Sequence, residues 1–341
     1  MKFYQMMPKI ELHLHLEGAI PYDVLFDLIQ KYGGDAEIKS VDDIAKKFVF
    51  RDFKHFIELW VWKNKFLREY EDFRLIAKNV ALDLKSQNVK YAEIFISPSP
   101  FKRLGLSCAG IIEAVSEGFK AAGGIRISII VDMVRDNGPA EALSTLYEIE
   151  EVRRCGIIGI GLGGSENEYP PSLFPELFEK ARNMGFKTSV HSGEASGAAS
   201  VDEAVKLLRP DRIGHCVRAA FDGALLKRIV ESNISVELCP ISNLRTGSVI
   251  AAELYPLDKF VESGINFSIN TDDPKMFGNS LVDEYYLIDK KLGFGRSKTV
   301  EFILNSISGA WISVEDKKTM REEFEKEIEI IKKNETNCVK S

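Results

Sequence analysis

The sequence predicts an α/β fold: a single (β/α)8 TIM barrel spanning residues 1–341, with extra helices inserted after the first strand and at the C-terminus. Three observations carry this. Eight short runs rich in Ile, Val and Phe recur along the chain, at 10–15, 91–96, 127–133, 157–162, 186–191, 212–215, 234–239 and 265–270. Most are continuously apolar rather than alternating, as parallel strands buried on both faces are. Amphipathic stretches separate them, and the chemically able residues fall at the C-terminal ends of runs one, four, five, six and eight. In a barrel those ends form one ring around one pocket, whereas in an open doubly wound sheet they spread along an edge.

The first run ends in Glu11-Leu12-His13-Leu14-His15. The segment from Pro21 to Leu84 that follows is too long for one crossover and holds Phe53, Phe56, Ile57, Trp60, Trp62 and Phe66. These residues either pack extra helices on the barrel or, with Phe53, Phe56 and Trp60, cover its mouth, where βα insertions lie. Helical patterns follow at 73–86, 111–121, 143–153, 173–184, 219–232 and 257–263. Gly123, Gly156, Gly185, Asn233 and Gly264 stand where helix C-caps are expected. A last charged helix, 315–333, carries Met320, Phe324, Ile328 and Ile331 on one face, and residues 334–341 are expected to fray.

The 341-residue chain is 45% hydrophobic, enough for a large core. Its formal charge is -6, from 45 basic and 51 acidic side chains, and no Lys/Arg block occurs, which argues against nucleic acid as partner. Cys108, Cys155, Cys216, Cys239 and Cys338 are scattered and odd in number, a pattern of reducing compartments. No stretch approaches the ~18 apolar residues of a spanning helix. A cytoplasmic protein without membrane partner is expected; the oligomeric state is not readable.

Only five histidines are present, and four sit in motifs: His13 and His15 above, His191 in His191-Ser192-Gly193-Glu194, and His215 in Arg212-Ile213-Gly214-His215. Residues two apart on a strand point the same way, so His13 and His15 face one side. With His191 ending strand five and Asp272 in Thr271-Asp272-Asp273-Pro274 ending strand eight, three imidazoles and a carboxylate make a donor set that suits Zn2+. The fourth strand ends Gly161-Leu162-Gly163-Gly164-Ser165-Glu166, without the lysine that a two-metal barrel of this kind uses as a bridge, so one Zn2+ per chain is expected. Glu194 and His215 are the available acid and base, although His215 also fits a fourth ligand position.

Together, Pro8 to Ala19, His191-Ser192-Gly193-Glu194, Arg212-Ile213-Gly214-His215, Cys239-Pro240-Ile241-Ser242-Asn243 and Asn270 to Pro274 resemble the adenosine deaminase family of the amidohydrolase superfamily, in the family's order and across nearly the whole chain. The resemblance implies that His13, His15, His191 and Asp272 bind Zn2+. It implies that Glu194 protonates purine N1 and that His215 takes a proton from the attacking water or holds hydroxide electrostatically. Asp273 then meets N7 and the Gly164 N–H meets N3. Two departures stand out. Glu17 replaces the Asp that nucleoside deaminases of the family place at the ribose, and Gly161 replaces an acidic residue. The expected reaction is deamination of adenosine or 2′-deoxyadenosine to the inosine product plus ammonia. The alternatives are aminodeoxyfutalosine or free adenine as substrate, and, in a different class, an inactive purine-binding protein.

Overall fold

The computed structural model describes residues 1–51 and 53–340, the side chains of 53, 54 and 335–340 excepted. The strands are β1 (Lys9–His15), β2 (Val89–Ile96), β3 (Arg126–Val134), β4 (Ile157–Gly163), β5 (Lys187–Ser192), β6 (Arg212–His215), β7 (Ser235–Leu238) and β8 (Phe267–Ile269). All pair in parallel and in chain order. That order belongs to a barrel, because a doubly wound sheet reverses direction at a switch point.

The ring closes between the end of β8 and β1. Asp272 N donates to His13 O and His15 N to Asp272 O, each at 2.9 Å. Because β8 spans only three residues, buried side chains supply much of the remaining seam. Asn270 Oδ1 accepts from Leu12 N at 3.0 Å, and Glu11 Oε2 accepts from Thr271 Oγ1 at 2.8 Å. The seam therefore fixes the backbone of both histidines of the first motif.

Helices cover the outside, and the five expected cap residues Gly123, Gly156, Gly185, Asn233 and Gly264 all have positive φ, between 53° and 98°; Gly156 and Gly264 are in the left-handed helical conformation, whereas Gly123, with ψ 164°, is not. Tyr22–Lys31, Val41–Lys47, Phe53–Asn64 and Tyr70–Ser86 fill the interval between β1 and β2. After β8 come Pro274–Phe277, Leu281–Lys290, Gly295–Ser306 and Val314–Lys340. Phe324 and Ile328 are buried against the barrel, with Ile331 at the edge of that contact. The backbone stays helical beyond Asn334, where fraying was expected; no Gly or Pro interrupts the run. Among the described residues no helix is long and apolar enough to cross a membrane, and Cys108, Cys155, Cys216 and Cys239 are free thiols.

The barrel interior is charged. Arg212 on β6 lies 2.5 Å from both Glu93 on β2 and Glu237 on β7, with its guanidinium 3.6 Å from the Trp311 ring centre. Glu237 Oε2 reaches on to His13 Nδ1 at 2.6 Å. Removing one member of such a buried set strands an uncompensated charge. The set thus links the barrel floor to the histidines at its mouth.

Candidate metal and substrate site

The inward faces of β1, β5, β6 and β8 converge. His15 Nε2 lies 3.1 Å from His191 Nε2 and 3.4 Å from Asp272 Oδ1. His13 Nε2, buried and without a hydrogen-bond partner, lies 3.5 Å from Asp272 Oδ1. His215 Nε2 is 3.9 Å from Asp272 Oδ2 and 3.5 Å from Glu194 Oε2. One donor atom each from His13, His191, His215 and Asp272 fall within 4.8 Å of one another. On mutual distance the group takes His215 and leaves out His15, which touches only its His191 and Asp272 side, so it differs from the expected set of His13, His15, His191 and Asp272; the Glu194 carboxyl lies beside His215.

Local backbone supports the cluster. His215 and Asp272 have φ of 62° and 65°, sparsely populated for residues with a side chain. Such positions cost on the order of 1–3 kcal/mol and persist where surroundings hold them. Ser242 Oγ donates to Asp272 Oδ2 at 2.6 Å, and Asn243 Nδ2 sits 3.0 Å from His215 Nδ1.

The protonation pattern suits a cation. Burial lowers His15 to about 3, His215 to about 4, and His191 well below its ordinary value, so these rings are neutral. Burial also opposes charge on His13, but the Asp272 and Glu237 carboxylates beside the ring outweigh it and raise it to about 10. Burial works to raise Asp272, yet the positive charge on the His13 ring beside it holds the carboxylate ionised. Neutral His15 and His191, an ionised carboxylate, and a buried His13 Nε2 whose proton a cation would displace fit a divalent metal of the zinc type. Glu237 orients His13 from behind, as carboxylates do for metal-bound imidazoles.

Glu194 leaves β5 on a loop, and burial, then the nearby Asp272 charge, raises it to about 8. That loop is held by Glu166, which sequence reasoning did not single out. Its carboxylate accepts from Gly193 N at 2.6 Å, Ser196 N at 2.9 Å, Ala195 N at 3.0 Å, and the Ser192 and Ser200 hydroxyls. In Glu166→Gln an amide N–H2 faces backbone N–H groups, so the Glu194 loop shifts. We expect kcat to fall about 100-fold, the scale of a displacement near 1 Å, with metal content unchanged. Steady-state kinetics beside metal analysis checks this; an unchanged kcat removes the positioning role.

A cavity of about 300 Å3 opens above the cluster. His15, His191, Glu194, His215, Asp272, Asp273 and Gly164 all line it. Gly18 and Gly164 are required by space: a Cβ would stand 1.7 Å from Asp273 Oδ1 and 2.2 Å from Asp136 Oδ2 respectively, and Gly164 has φ 107°. The helix Phe53–Asn64 covers the mouth with Phe56, Ile57, Trp60 and Val61, and the Trp60 ring lies 6.0 Å from that of His15. The Phe53 side chain lies outside the described residues. Glu17 is different. It is fully buried, its Oε1 accepts from Ser97 N at 3.0 Å, and it is not among the residues lining the cavity.

Residues 8–327 match the family model described as adenosine deaminase. The chain belongs to the adenosine deaminase family. An aminodeoxyfutalosine deaminase of Streptomyces coelicolor is 31% identical over 94% of this chain and 84% of its own length. An adenine deaminase of Vibrio parahaemolyticus is 29% identical over 95% and 96%. A crystal structure of an amidohydrolase from Burkholderia ambifaria with bound Zn superposes with a TM-score of 0.89, at 29% identity, over 98% of this chain and 93% of the other. The protein is a member of this deaminase family of metal-dependent amidohydrolases.

Three residues missed by sequence reasoning share one signal. Glu93, Asp132 and Glu237 are single acids inside otherwise apolar strands, where a charge survives only with a partner or a task. Each was legible as an anomaly in Tyr91-Ala92-Glu93-Ile94, Ile130-Val131-Asp132-Met133 and Val236-Glu237-Leu238.

Proposed function

We propose that this deaminase hydrolyses the 6-amino group of free adenine, giving hypoxanthine and ammonia. The observation that carries the choice is Glu17. The residue type that family nucleoside deaminases use at the ribose is here a longer carboxylate, turned into the protein and tied to Ser97 N. The expectation of adenosine gives way accordingly, and relatives named for adenine and for aminodeoxyfutalosine support the shift.

In this reading His13, His15, His191 and Asp272 hold one Zn2+. Zinc in such a site supplies a water activated for attack near neutral pH. Glu194, protonated, donates to N1 and makes C6 electrophilic. His215 takes the proton of the attacking water, Asp273 meets N7, and the Gly164 N–H meets N3. Water adds to C6, His215 passes the proton it took to the 6-amino group, the C6–N bond breaks to release ammonia, and the proton left on the new C6 hydroxyl returns to Glu194 as C6=O forms.

A second reading, an N9-substituted purine such as aminodeoxyfutalosine, is favoured by the outer cavity, where Ile57, Pro100, Phe101 and Arg103 extend the walls beyond the catalytic groups. Ammonia release from adenine, adenosine, 2′-deoxyadenosine and aminodeoxyfutalosine separates the two. We expect kcat/KM for adenine to exceed that for adenosine by about 100-fold or more, the scale of a lost or mismatched polar contact. Adenosine as best substrate overturns the Glu17 argument, and aminodeoxyfutalosine as best substrate selects the second reading.

A further inference from the structure

The reacting groups occupy only part of the barrel mouth. His13 and His15 end β1, Glu194 follows β5, His215 ends β6, and Asp272 and Asp273 follow β8. The facing wall comes from β2–β4 and includes Ser97, Asp132, Val134, Gly163 and Gly164. Asp132 is 4% exposed. Its Oδ2 accepts from Ser97 Oγ at 3.1 Å, while Oδ1 is buried with no hydrogen-bond partner.

The neighbouring strand is cut away to admit this carboxyl. Asp132 is in register with Gly161, where a Cβ would stand 2.7 Å from Oδ1, and a Cβ on Gly163 would stand 2.8 Å from Oδ2. Gly161 is the position at which the family resemblance leads one to expect an acid. Here the acid comes from β3 instead of β4. Of the other acids on that side, Glu166 takes the five donors of the β5 loop and Asp136 takes Ser165 N and Oγ, while Glu17, whose Oε2 is also unpaired, is buried behind the cavity wall and does not line it. Burial, opposed by the Ser97 bond, raises Asp132 to about 7. A dry carboxyl oxygen without a donor is costly unless a ligand supplies one.

A 6-aminopurine with C6, N1 and N7 turned to the β5–β8 groups presents its opposite edge, N3 and N9, to β2–β4. We propose that Asp132 determines specificity by accepting a hydrogen bond from N9–H of the free base. This rests on the free-adenine reading above. A purine substituted at N9 has no such proton and leaves Oδ1 unpaired.

The test compares adenine with 9-methyladenine as substrates of wild-type enzyme and of Asp132→Ala, with metal content and thermal melting as controls for folding. A hydrogen bond to a charged or buried acceptor corresponds to about 10- to 100-fold in kcat/KM. Wild type is therefore expected to prefer adenine by at least about tenfold. In Asp132→Ala, turnover of adenine falls by a similar factor, turnover of 9-methyladenine holds, and the ratio collapses toward one. Asp132→Asn, which keeps the shape and one neutral oxygen, gives an intermediate ratio and serves if the alanine variant does not hold metal. A wild-type ratio near one overturns the proposal, as does a ratio undiminished in Asp132→Ala. Wild type that turns over adenosine or aminodeoxyfutalosine but not adenine instead overturns the free-base reading, and is recognised before any variant is made.

Discussion

Glu194→Gln is expected to lower kcat/KM about 1,000-fold or more while the enzyme keeps its metal. The carboxyl sits 3.5 Å from His215 Nε2, in a cavity wall where burial and the Asp272 charge raise it to about 8. In the proposed reaction a proton donated by this group to purine N1 makes C6 electron-poor enough for attack, and positioned general acids contribute about 10²- to 10⁴-fold. Glutamine keeps the shape and can donate a hydrogen bond, but it cannot transfer a proton. The sign of the pH dependence follows from the raised value. Below about 8 the acid is protonated and active; as pH rises through that value it ionises, and kcat/KM falls about tenfold per unit. In Glu194→Gln this alkaline limb should disappear. A pH–rate profile of both proteins checks the assignment, and a limb that survives in the variant belongs to another group.

The same residue shows where sequence reading stops. The four histidines, Asp272 and Glu194 were legible because each ends a strand or begins a loop, and period-two projection plus barrel closure brings such ends together. The strands were legible because most are continuous apolar runs that leave few alternatives; β6, Arg212-Ile213-Gly214-His215, was legible by its motif and its place in the alternation. What holds Glu194 in place was not. Glu166 lies 27 residues or more from the backbone amides it binds, and nothing local distinguishes it from a surface glutamate. Arg212 and Glu93 are 119 residues apart, so each looks like a defect in its own strand until the barrel closes. Glu17 misled in the opposite sense. Its place in the motif pointed at the substrate, but the carboxylate is turned to Ser97 N, and only the course of the loop after β2 shows its Oε1 to be occupied. Asp132 was hidden because its role depends on two glycines of another strand.

His191→Ala is expected to abolish metal binding at stoichiometric zinc and, with it, deamination above background. His191 contributes from β5 the nitrogen that lies 3.1 Å from His15 Nε2, so its loss opens the cluster on the side facing the cavity. Loss of a residue that merely orients a ligand costs about 10- to 100-fold in metal affinity; loss of a ligand itself must cost more, and metal analysis after gel filtration should find the variant empty. His215→Ala is the informative comparison, since distance alone places His215 in the same group. If its task is proton transfer, that variant keeps its zinc and loses about 10²- to 10⁴-fold in kcat. If it empties as His191→Ala does, His215 is a ligand, and the base for the attacking water must be sought elsewhere in the cavity. Full zinc occupancy in His191→Ala would remove His191 from the ligand set and leave His13, His15, His215 and Asp272 as the candidate donors.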